Sequence, residues 1–105
     1  LSRDGWEIPD SNGAGTVFSG KGSLVFGLYY VPDSLTMRAD IQVSEPTVLK
    51  VKSGKSEKVL KFPENGHYLL EAELDVSDMT NDYNALNYVY LESDKSITFN
   101  RLSLD

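Results

Sequence analysis

Cysteine is absent from the 105 residues. That absence excludes disulfides, zinc–thiolate centres and a thiol nucleophile together, while leaving the compartment open. Histidine occurs once, at His67, and no Gly-x-Ser-x-Gly elbow exists, so a nucleophile–base triad has no evident parts. No apolar run approaches the roughly 20 residues that a membrane-spanning helix needs. Positive charge is also scarce. The 10 Lys and Arg residues against 16 Asp and Glu leave a net charge of −6 at pH 7, which argues against a nucleic-acid backbone or an anionic membrane as partner. There is no phosphate-cradling glycine-rich loop leading into a helix and no Asn-x-Ser/Thr sequon.

What the chain does have is alternation. Leu24, Phe26, Leu28 and Tyr30 share one parity, and Leu35, Met37, Ala39, Ile41 and Val43 share another. Tyr68, Leu70, Ala72, Leu74 and Val76 repeat the pattern with Glu71, Glu73 and Asp75 between them. A period of two is a strand with one face buried and one in water. Gly, Pro, Asn and Asp clusters break the rhythm, and no long helical pattern competes with it. The pattern predicts strands over 5–8, 16–18, 23–31, 35–44, 47–52, 57–62, 67–76, 85–91 and 96–104. Turns are expected at 9–13, 20–22, 53–55, 63–66 and 92–95, with a polar loop at 77–84 that has room for one helical turn. In the last strand Ile97 and Phe99 are odd whereas Leu102 and Leu104 are even, a phase break that predicts a β-bulge between Phe99 and Leu102.

The expectation is therefore an all-β protein, an antiparallel β-sandwich of the jelly-roll kind with about eight or nine strands. Residues 1–105 make one such domain, near the size at which a single core supports itself. The chain starts at Leu1 without Met and without a signal peptide's basic and apolar regions. It is expected to be excised from a larger multidomain protein, with any export signal elsewhere.

Two stretches resemble the carbohydrate-binding modules of the galactose-binding-like jelly-roll superfamily. One is the opening Leu1-Ser2-Arg3-Asp4-Gly5-Trp6. The other is the ending, Ala85-Leu86-Asn87-Tyr88-Val89-Tyr90-Leu91 followed by Ile97-Thr98-Phe99-Asn100-Arg101-Leu102-Ser103-Leu104. Between them, 22–44 is similar to the module's paired long strands. The likeness is one of pattern over most of the chain, and no diagnostic catalytic or ligand motif accompanies it. It implies a non-catalytic sugar-binding role in a secreted or surface-anchored bacterial glycoside hydrolase, as an accessory domain. It also implies, in some members, a structural calcium ion, with no cofactor otherwise required.

Sugar binding needs flat apolar faces with polar groups at the rim, so the six Tyr, four Phe and one Trp are weighed first. Phe18, Phe26, Phe62 and Phe99 share parity with aliphatics and are expected in the core. Trp6 reads as either a core plug or a binding platform, the plug being the plainer reading. Tyr29 and Tyr30 are adjacent and so point to opposite faces of one strand, with Tyr30 inward and Tyr29 outward beside Gly27. Tyr29 is then a platform or an ordinary cross-strand packing partner. Tyr88 and Tyr90 share a face with Leu86 and are expected in the core or half-buried. Tyr83 lies in the polar loop, where an exposed aromatic is more often functional.

Arg38, Asp82, Asn84 and Asn87 would supply orienting hydrogen bonds. Arg38 is chosen because it projects from the polar side of the strand expected to pair with the one holding Tyr29. Asp78, Thr80, Asp82 and Asn84 place oxygens at alternate positions, as calcium requires, although Tyr83 and Val89 stand where an EF-hand needs Gly and Glu; a capped turn is the plainer reading. By analogy with the superfamily, Asp10, Asn12 and Asp105 form a second calcium candidate. Lys50, Lys52, Lys55, Lys58 and Lys61 concentrate positive charge on one hairpin. Protection of a sheet edge is the plainer reading, contact with an acidic glycan or a neighbouring acidic domain the functional one.

Three functions are compatible with these features. The first is a carbohydrate-binding module directing an appended glycoside-active enzyme to a polysaccharide or glycan, outside the cell, with neighbouring domains of the same polypeptide as further partners. The alternative is a structural or protein-interaction β-sandwich domain of a secreted or surface protein. The third, a small hydrolase, would require two carboxylates about 5 to 9 Å apart in a groove.

Overall fold

Alternation becomes strand wherever it is strongest. A computed structural model describes residues 16–82 and 85–105, and these hold six strands: β1 (Thr16–Phe26), β2 (Leu35–Val43), β3 (Thr47–Ser53), β4 (Ser56–Phe62), β5 (Gly66–Leu74) and β6 (Asn87–Leu104). In β2, Leu35, Met37, Ala39, Ile41 and Val43 are buried while Arg38 and Gln42 stand in water. In β5, Leu70, Ala72 and Leu74 are buried between exposed Leu69, Glu71 and Glu73. The protein is an all-β, antiparallel fold, as the alternation predicts.

The strands join in one sheet of order β4-β3-β6-β2-β5, with β1 also paired to β6. β6 is the common partner. It meets β1 along much of its length, β3 at Tyr90–Ser93, and β2 from Ile97 to Leu104. β5 then returns beside the β3–β4 hairpin, so the sheet nearly closes on itself. The Asp75 backbone N–H donates to Ser53 Oγ at 2.8 Å, and the Lys55 N–H donates to Asp75 Oδ2 at 2.9 Å. The Phe62 and Tyr68 rings meet at 5.0 Å. Inside lie Phe18, Leu24, Met37, Ile41, Leu49, Leu91, Ile97 and the smaller side chains around them, with Phe18 and Phe99 edge to face at 6.4 Å. Of the four phenylalanines, three are buried, and Phe26 is partly buried against the same core.

The strand count is lower than the eight or nine expected, for identifiable reasons. The stretches 16–18 and 23–31 are one strand as far as Phe26, because the chain passes through Gly20-Lys21-Gly22 without reversing. Pairing shifts between Phe18 and Gly20, where Gly20 adopts φ 75. Likewise 85–91 and 96–104 belong to a single 18-residue strand, since Glu92 and Ser93 remain paired to β1 and β3 instead of turning. The strand expected at 5–8 lies outside the described residues. At Asn100 the expected bulge is present: Asp40 pairs with Arg101 and Ile41 with Phe99, so Asn100 is the extra residue. No helical turn occurs at 77–84 among the described residues.

β1 ends sooner than its apolar run suggested. Residues 27–34 are not strand, and Tyr29 and Tyr30 are both exposed, so the inward placement of Tyr30 is corrected.

Candidate functional site

The first half of β6 turns Asn87, Val89, Leu91 and Ser93 inward, which forces Tyr88 and Tyr90 out. This reverses the expected core placement of the two tyrosines. Register decides it: Val89 faces Leu24 of β1, and Leu91 faces Val51 of β3, all four within the core. Leu86, Tyr88 and Tyr90 consequently keep 55%, 47% and 55% of their surface exposed. The two tyrosine rings are near-parallel, 9° apart, with centroids separated by 6.1 Å.

These side chains run through a continuous series of shallow hollows. The first, of about 510 Å³, is lined by Gly27, Leu28, Tyr29, Asn81, Asp82, Ala85 and Leu86. Leu86 passes into a second with Asp78, Met79, Tyr88 and Tyr90, and Tyr90 into a third with Lys21, Lys50, Lys52, Glu57 and Glu92. The result is a strip of outward aromatic and aliphatic surface, acidic and amide-bearing at one end and lysine-rich at the other.

Local geometry holds the loop beside the strip. Asn87 is buried, its Nδ2 donating to the Thr80 carbonyl and its Oδ1 accepting from the Thr80 N–H, both at 2.9 Å. Thr80 Oγ1 in turn accepts from the Asp82 N–H at 3.0 Å. Asp75 accepts from the Ser77 N–H at 2.9 Å as well as from Lys55, and these two backbone donors, Ser77 first, hold its carboxyl below the usual carboxylate range. Short polar side chains bonding their own neighbouring backbone are what fixes a loop without a helix or strand.

The sequence-predicted site residues divide accordingly. Tyr29 and Asp82 line the same hollow and are brought together. Asn87 lines the adjoining hollow with Leu86, Tyr88 and Tyr90, and its amide bonds both backbone groups of Thr80, which makes it a loop clamp. Arg38 is elsewhere. β2 pairs with β5 and β6, not with β1, and Arg38 lines a separate hollow with Asp40, Leu69, Glu71 and Arg101. There it ion-pairs with Asp105 at 3.2 Å and Glu71 at 3.4 Å, and these bonds push the pKa of its guanidinium upward, Asp105 contributing most. The reason given for choosing Arg38 is therefore corrected. Asp40 and His67 contact each other on the same side of the protein.

Trp6, Tyr83 and Asn84 lie outside the described residues, as do Asp10 and Asn12 of the proposed calcium set. The remaining member, Asp105, accepts from Arg38 Nη1 and from Ser103 Oγ. The Arg38 guanidinium thus neutralises part of the charge on that carboxylate. Among the described residues no three His, Cys, Asp or Glu side chains converge to hold a metal ion.

Sequence reasoning missed Tyr88, Tyr90, Leu86 and the lysines beside them as one surface. The signal was Asn87 and Ser93 flanking Val89 and Leu91, which gives the inward row small polar ends able to bond within the fold. No protein-family model matches the chain, and no curated protein matches it either.

Proposed function

We propose that this domain is a non-catalytic carbohydrate-binding module that holds an appended glycoside-active enzyme on a polysaccharide or glycan. In this reading the coiled sheet is a small variant of the galactose-binding-like jelly roll, the domain works outside the cell, and no cofactor is required. The observation that carries it is the near-parallel pair Tyr88 and Tyr90 facing solvent, with Leu86 and Tyr29 continuing the strip. Exposed aromatic faces in a row are costly to leave wet unless something apolar and hydrogen-bonding covers them. A pyranose does both, laying its axial C–H bonds on the ring and its hydroxyls at the rim. Asp82 and the tyrosine hydroxyls are the polar groups at that rim.

A protein-interaction role draws on a different face. Leu69 is 87% exposed there, beside Arg38, Asp40, Glu71 and Arg101. That ion-paired surface suits contact with a neighbouring domain and leaves the aromatic strip free for the sugar.

A glycan array with the wild-type domain and the Tyr29→Ala, Tyr88→Ala and Tyr90→Ala variants tests the reading. The wild type binds a defined set of glycans, and each Tyr88 or Tyr90 truncation weakens binding about tenfold, the worth of one lost stacking contact. A wild type that retains no glycan removes the reading. Equal binding by all variants moves the site off the strip.

A further inference from the structure

We propose that the polymer lying on the strip is a uronate-bearing polysaccharide, whose carboxylates meet Lys21, Lys50 and Lys52 beside Tyr90. This rests on the carbohydrate-binding reading and specifies the ligand of that same surface. The chain has only 10 Lys and Arg residues and a net charge of −6, yet three lysines share one hollow with Tyr90. Lys52 stands directly across from Tyr90, and Lys50 and Lys21 flank Glu92 from β3 and β1. None of the three lysines is in an ion pair with a described residue.

Edge protection accounts for Lys58 and Lys61, which belong to β4 at the end of the sheet. It does not account for Lys50 and Lys52. β3 lies between β4 and β6, with both of its edges already paired, so charge there protects nothing. Free cations on an interior strand next to an exposed aromatic are suited to an anionic ring bound flat on that aromatic. Glu57 and Glu92 stand among the lysines, so the hollow carries three cations against two anions. A densely sulfated chain would be repelled by both glutamates, whereas one carboxylate per sugar can sit at a lysine and avoid them. The opposite end of the strip, with Leu28, Tyr29 and Leu86, takes the uncharged faces of the next sugars.

Titration calorimetry of the full chain with oligogalacturonate, a neutral oligogalactan, a sulfated galactan free of uronate and poly-L-glutamate tests this, at low and at high salt. Oligogalacturonate binds best, and its affinity falls with salt because exposed charges are screened. The double variant Lys50→Gln/Lys52→Gln binds it about fivefold more weakly, while Lys50→Arg/Lys52→Arg retains binding. Thermal unfolding of both variants matches wild type. If oligogalactan binds as well as oligogalacturonate and the Gln variant changes nothing, the anionic assignment falls and the sugar reading stands. If the sulfated galactan or poly-L-glutamate binds as tightly, charge alone is recognised and the uronate assignment falls. If no sugar binds at all, both readings fall together.

Discussion

Asn87 holds Thr80 through both of its backbone groups, donating to the carbonyl and accepting from the N–H at 2.9 Å each. The pair ties the loop after β5 to the first residue of β6, and Tyr88 follows at once on the outer face. Replacing Asn87 by Ala leaves the Thr80 amide and carbonyl, which are part-buried, without partners. An unsatisfied buried polar group costs about 1–3 kcal/mol. Urea unfolding of Asn87→Ala should show that loss with an unchanged m-value. Amide exchange should localise the opening to the loop. Wild-type stability would mean that water satisfies Thr80 and that the clamp is dispensable.

Acid stability should depend on Asp75. Its backbone donors from Ser77 and Lys55 favour the ionised carboxylate, so its folded pKa lies below its unfolded one. The stabilisation is then complete above the unfolded pKa and is lost as the pH falls through the folded value. Thermal unfolding from pH 7 down to pH 2 should show wild type losing stability on acidification more steeply than Asp75→Asn. Parallel curves for the two proteins would exclude Asp75 as a contributor.

Phe18 and Phe26 occupy the same parity of β1 but unequal depths. Phe18 is fully buried and meets Phe99 edge to face, whereas Phe26 is only partly covered at the strand's end. Truncating a buried phenylalanine costs about 3–5 kcal/mol. Phe18→Ala should therefore unfold in far less urea than Phe26→Ala, and equal midpoints would contradict the depth assigned to them.

What could be read from the residues follows from how one-sided each segment is. β2 and β5 have aliphatics at one parity and, Leu69 apart, polar or charged residues at the other, so their buried faces are unambiguous. The segment 85–91 is apolar at both parities, and tyrosine is at home inside or out, so alternation alone cannot choose. The choice falls to Leu24 and Val51, which are remote in sequence and meet Val89 and Leu91 only after β1 and β3 pair with β6. The same nonlocality hid the lysine hollow, which assembles from β1, β3, β4 and β6. Gly20-Lys21-Gly22 has the composition of a turn, yet the chain continues through it because β6 offers partners on both sides of the shift. Tyr29 and Asp82 were identified separately as loop or outward residues, and only the fold places them in one hollow.

The phase break in β6 was visible in the residues and can be tested by removing it. Asn100 is the one residue with no partner in β2 between Arg101 and Phe99. Deleting it removes the extra residue and leaves both flanking pairs as they are: Phe99 still faces Ile41, and Arg101 follows it directly, still opposite Asp40. Phe99, Leu102 and Leu104 then alternate with Arg101 and Ser103 without a break, so the leucines stay on the core side and the polar side chains stay in water. What is lost is the bend and extra twist that the bulge gives β6. The deletion should therefore lose no more than about 1–3 kcal/mol in urea unfolding. The Thr36 and Asp105 backbone bonds at 2.8 and 2.9 Å and the Arg38–Asp105 ion pair should persist, with the Thr36 and Asp105 amides still protected from exchange. Loss of protection at both amides would show that β2 and β6 cannot stay paired to their ends without the bend that Asn100 supplies.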